Sequence, residues 1–179
     1  MFSLTNHVTE FKSVTVRKEF HGDRKVLAVT IACRSICANS VLDEFDRNIR
    51  PLLYRKPDQN EMPPQDEMAF EITDGLTARR LQHFKPLAMD QKFPGYKMSL
   101  PSGIAVDDTI DAEQVELSKP VFEALEGGSV AIDYNLSFQV GWSNAGKLAH
   151  NIGEKVDLTL TPPTAEELAE RQADLEDAA

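Results

Sequence analysis

Bases and aromatic rings interleave near the start of this chain. Between residues 11 and 25 stand Phe11, Lys12, Arg17, Lys18, Phe20, His21, Arg24 and Lys25. Rings that stack on nucleobases, set among cations that meet phosphates, hold single-stranded nucleic acid with little sequence preference. In that chemistry Lys12, Arg17, Lys18, Arg24 and Lys25 contact phosphates and Phe11 supplies a stacking ring. The same spacing also fits Phe11 and Phe20 as core residues. Charge is spread unevenly. The first 56 residues hold ten bases against six acids, whereas residues 163–179 hold six acids against Arg171 alone, in a chain of net charge −10. An acidic chain is poorly suited to tight, non-specific duplex binding, which needs many phosphate contacts.

Other chemistries find little support. His7, His21, His83 and His150 are scattered, and none stands at metal-ligand spacing with a cysteine or a second histidine. Cys33 and Cys37 lack a further ligand pair and read as buried thiols. A Cys–His pair formed in space stays open, although nothing in the spacing favours it. GWSNAG (141–146) resembles a nucleophile elbow only superficially, because its second glycine comes one residue late. It reads instead as a strand end with a helix capped by Ser143 or Asn144. EGGS (126–129) reads as a hairpin turn, not a phosphate cradle. DDTIDAE (107–113) lacks the glycine and terminal glutamate of a calcium loop and reads as a solvated loop. No catalytic residue, metal site or cofactor is assigned.

The elements that must position the basic and aromatic residues are mostly strands. Residues 8–20 and 26–36 are two β-rich runs joined by a turn at Gly22-Asp23, a long N-terminal hairpin. Parity places Phe11 and Arg17 together on its outer face. Val41, Leu42, Phe45 and Ile49 are spaced for a short helix that Pro51 ends or kinks. Residues 56–67 are a polar, proline-rich loop; MAFEI (68–72) and YKMSL (96–100) are strands, with KFPGY a turn between. Strand 113–122 leads through Glu126-Gly127-Gly128 into residues 129–140, where Val130, Ile132, Tyr134, Leu136, Phe138 and Val140 alternate with polar residues without a fault. Residues 143–152 form a short helix or loop, and 155–163 the last strand. The expected architecture is mainly β: an antiparallel small barrel (oligonucleotide-binding-like) or a sandwich, with one or two short helices. It spans residues 1–162, and 163–179 form an acidic tail, a frayed helix or disordered. Long apolar runs and a signal-peptide pattern are absent from the sequence.

The segments VTVRKEFHGDRKVLAV, NSVLDEFDRNIRPLLYRK, KFPGYKMSL and KVDLTLTPP resemble a group of small uncharacterised proteins encoded by tailed phages and prophages, over most of residues 4–162. The resemblance implies the cytoplasm of a bacterial host and carries no functional residue. Together the observations point first to a phage-type accessory protein that binds single-stranded DNA in replication or recombination. The alternative is an acidic interaction module that inhibits or recruits a host factor of the anti-defence type through loops 58–74 and 107–116 and the tail. A self-assembling homo-oligomer is a third reading.

Overall fold

A computed structural model describes residues 1–21, 24–59, 61, 70, 72–101 and 108–169. The chain is mainly β and antiparallel. Long strands β1 (Leu4–His21) and β2 (Arg24–Ala38) form the N-terminal hairpin. A 3-10 turn (Asn39–Glu44) and α1 (Ile49–Leu53) follow. Two-residue strands β3 (Tyr54–Arg55) and β4 (Ala78–Arg79) pair with each other, and β5 (Leu87–Ala88) is equally short. The remaining elements are β6 (Lys92–Pro101), β7 (Thr109–Ala124), β8 (Ser129–Val140), α2 (Trp142–His150) and β9 (Lys155–Thr161). The main sheet runs β5-β7-β6-β9-β1-β2-β8, and β7 also pairs with β8. Among the described residues each of the six long strands has a partner on both sides over part of its length, while Ser13–His21 of β1 pairs with β2 alone.

The inward alternation of β8 is as the sequence pattern demands: Val130, Ile132, Tyr134, Leu136 and Phe138 are buried, opposite Cys37, Ser35, Cys33, Ile31 and Val29 of β2. Burial of such side chains is worth roughly 1.5–3 kcal/mol each before entropy is counted. Phe2, Phe45 and Tyr134 stack in tilted and edge-on contacts near the middle of the core. A buried polar chain crosses it, in which the Thr9 and Ser35 hydroxyls meet at 2.8 Å and Ser35 meets the Tyr134 hydroxyl at 2.9 Å. The turn before β8 requires glycine at Gly128, where φ is +80° and a Cβ would lie 2.8 Å from Ile72 Cγ1.

Several elements depart from the sequence reading. The single helix across residues 41–54 is instead a 3-10 turn and a five-residue helix, with Pro51 tolerated inside the first helical turn. KFPGY does not break the chain: β6 runs through it, and Gly95 takes φ +93° where the register with β7 shifts. Thr109–Glu116, read as part of an acidic loop, belongs to β7. The helix after β8 is flanked by Gly141, not capped by Ser143 or Asn144. The turn at Gly22-Asp23 and most of MAFEI lie outside the described residues. Residues 165–169 are helical. There Thr164 N–H donates to Glu167 Oε2 (2.8 Å) and Glu167 N–H to Thr164 Oγ1 (3.2 Å), a reciprocal cap that starts the tail. Glu167 also pairs with Lys97 at 2.8 Å, and these partners hold its carboxyl at about 2.

Candidate nucleic-acid interface

One extra residue decides where the hairpin's side chains point. Phe11 pairs with Cys33 and Ser13 with Ala32, so Lys12 is a bulge without a register partner. Before it, Thr9 and Phe11 face inward and Val8 is 55% exposed; beyond it, Val14, Val16 and Lys18 lie opposite the inward-facing Ile31, Val29 and Leu27. Residues 11 and 17 share a parity in sequence and lie on opposite faces in the fold. The expected pairing of Phe11 with Arg17 on one outer face is thus corrected. Phe11 is fully buried, and its N–H and carbonyl are bonded to Glu154 and Gly153 in the segment after α2. It offers no ring to a ligand.

The outer face holds its cations in ion pairs. Lys12 Nζ lies 2.6 Å from Asp133 Oδ1, and Arg34 bridges Asp133 (2.8 Å) and Glu123. Arg17 Nε donates to Glu19 Oε1 at 2.8 Å and its Nη1 to Thr30 Oγ1 at 2.8 Å. A cavity of about 420 Å³ beside Arg17 is also lined by Glu19, Glu113 and Glu116. An anionic backbone entering there would meet three carboxylates, so Lys12 and Arg17 are poor phosphate ligands.

The inner face at the far end of the hairpin differs. Beyond the core, Val16 (46% exposed) and Lys18 stand on β1, and Lys25, exposed, stands two residues from Leu27 on the same face of β2. Leu27 pairs with Val140, the last residue of β8, and Trp142 follows at the start of α2. Trp142 is 73% exposed, and Lys18 Nζ sits 5.9 Å from its ring centroid, within cation–π range. An exposed ring, two lysines and a half-exposed valine therefore share one patch. The side chain of Arg24 lies outside the described residues; its backbone faces His21 across the hairpin end. The sequence reading took Phe11 for the exposed ring, and the exposed one is Trp142. The available signal was that Trp142 is the chain's sole tryptophan and directly follows a glycine at a strand end.

The cysteines make no reactive centre. Both are buried. His7 Nε2 does lie 3.6 Å from Cys37 Sγ, a pairing that sequence spacing left open. Burial pushes the Cys37 thiol up to about 12, and burial lowers the His7 imidazole against an opposing backbone hydrogen bond at Ile36. Both partners are thus held neutral, the reverse of a thiolate–imidazolium nucleophile. Among the described residues no group of three or more His, Cys, Asp or Glu side chains is placed to hold a metal ion, and no helix is long and apolar enough to cross a membrane. No protein-family model, curated protein or solved structure matches this chain.

Proposed function

We propose that the chain is a phage-type accessory protein that binds single-stranded DNA, on the face carrying Trp142, Lys18 and Lys25. The observation that carries this reading is the Trp142 ring, open to solvent with Lys18 over it. A nucleobase stacks on the indole, and Lys18 meets a flanking phosphate. Pairing of every long strand on both sides supports a closed barrel over a sandwich as the scaffold. The proposed setting is replication or recombination in the cytoplasm of a bacterial host. Quenching of tryptophan fluorescence by oligo-dT tests it, with the native chain and with a full-length variant whose tail acids Asp174, Glu176 and Asp177 are changed to amides. Neither protein responding at low salt would remove the proposal.

A second reading has an observation of its own. Lys12, Arg17, Arg34, Arg50, Arg55, Arg79, Lys92, Lys97 and Lys147 are each held by a carboxylate, so the excess of acids is what much of the described surface presents. Such a field suits a module that masks or recruits a basic host protein, or an assembly of copies around one. Recovery of a stoichiometric host partner at low salt, with no oligo-dT binding, would favour it.

A further inference from the structure

We propose that a groove beside β5, at the opposite end of β8 from Trp142, docks an acidic, leucine-bearing segment of a partner protein. The twelve residues of β8 separate the two places by about 35–40 Å along the strand. A cavity of about 310 Å³ opens there over Leu53, Leu81, Leu87 and Leu125, and its walls include Leu52 and Phe84. Phe84 is 74% and Leu52 49% exposed, two large apolar side chains left in water at one concavity. Scattered exposed apolar residues are ordinary on protein surfaces; two flanking an apolar hollow mark a contact site.

Charge selects the occupant. The segment that builds the groove, residues 77–89, contains Arg79, Arg80, His83 and Lys85 and no acid. Lys85 lines the groove, and Arg80 donates its backbone N–H to the Leu53 carbonyl at its floor. Neither side chain has an ion-pair partner among the described residues. The one carboxylate on the lining, Glu123, is engaged by Arg34, and Arg79 is engaged by Glu126 at 2.5 Å. The uncompensated charge at this apolar hollow is therefore positive, on a chain of net charge −10. The acidic rest of the chain draws basic segments elsewhere, but at this hollow the unpaired Lys85 disfavours them, and nucleic acid finds no exposed indole here. A peptide with leucines flanked by Asp or Glu meets both requirements: apolar side chains for Leu81 and Phe84, a carboxylate for Lys85.

The test uses a fluorescein-labelled synthetic peptide, EDLEDLLEDLEE, with KKLKKLLKKLKK as control, titrated with the native chain in anisotropy. The acidic peptide binds in the groove, whereas the basic one is held only by the acidic surface elsewhere and is indifferent to substitution of Phe84 or Lys85. Phe84→Ala and Lys85→Glu each weaken binding about tenfold, the 1.4 kcal/mol expected of an interface anchor. Both side chains are exposed, so their melting temperatures stay near native. Oligo-dT quenching of Trp142 is unchanged in both variants, which separates failure here from failure of the DNA reading. Equal peptide binding by the native chain and both variants overturns the proposal. Binding that emerges only in the tail-amide variant assigns the groove to the chain's own acidic tail and overturns the assignment to a partner. So does a concentration-dependent dimer abolished by Phe84→Ala, which assigns the groove to a second copy.

Discussion

Replacing Trp142 with alanine separates a stacking site from a generally basic surface. Base–aromatic stacking contributes about 1–3 kcal/mol per base by alanine substitution, a loss of roughly 5- to 150-fold in affinity. With one exposed ring on this face, the low half of that range is expected. The indole is 73% exposed, so its removal leaves stability within about 0.5 kcal/mol of native and the binding loss reads as binding alone. Because Trp142 is the only tryptophan, the native protein reports its own site through quenching, and the variant is followed with labelled oligo-dT. Lys18→Ala is the companion. Each phosphate contact on a single strand contributes a slope of about −0.7 to log K against log salt. Lys18 gives about −0.7, a loss near threefold between about 50 and 200 mM salt, and removing Lys18 abolishes that slope. Arg17→Ala leaves affinity and slope unaltered, since Arg17 is paired with Glu19 beside two further glutamates. The reasoning is refuted if Arg17→Ala costs as much as Trp142→Ala, or if the native slope is much steeper than one contact allows.

Three further outcomes follow from the core. Phe11→Ala, which leaves a void where a fully buried ring stood, lowers unfolding free energy by about 3–5 kcal/mol in a denaturant titration; a loss under about 1 kcal/mol would show that this ring is not a core anchor. His7 has a folded-state pKa below its ordinary 6.5 because burial disfavours its charged form, with the Cys37 thiol at 3.6 Å. The unfolded chain therefore binds the proton first, so this contribution is complete above 6.5 and is lost as pH falls through 6.5 toward the folded value. Urea midpoints measured across that window decline in the native chain and flatten in His7→Gln; parallel curves would contradict the sign. Cys33 and Cys37, buried and pushed up, stay unmodified by a thiol reagent until denaturant is added, and rapid labelling of the native fold would show that one of them is accessible.

Periodic features were legible in the sequence and aperiodic ones were not. Residues 129–140 alternate perfectly because both neighbouring strands impose the same period of two, and β8 forms where the pattern places it. β7 and β9 were readable for the same reason, although β7 begins earlier than its apolar pattern, at Thr109, where Asp111 and Glu113 are exposed on an otherwise ordinary strand. The positive φ values at Asn6, Gln114 and Lys119, all non-glycine and all in strands, are invisible to a search for turn residues. Asn6 and Lys119 sit where the pairing register shifts. They bend the long strands, and bends of that kind let β7 meet both β6 and β8. The additional pairing of β7 with β8 was thus beyond a reading based on strand count.

The bulge at Lys12 shows why a composition of rings and bases is a weak guide to a binding face. By parity Phe11 and Arg17 share one outer face; one inserted residue sends Phe11 into the core and leaves Lys12 and Arg17 beside carboxylates. What survives on the opposite face is one cation over one indole, with a second lysine on the neighbouring strand. A site so built gains more from stacking than from counterion release, because phosphate contacts there are few and the chain is acidic. It follows that binding should tolerate salt better than a basic groove does, yet fail with the loss of a single ring. A protein that used a broad cationic track would show the converse, with graded losses over many lysines and no single aromatic that matters.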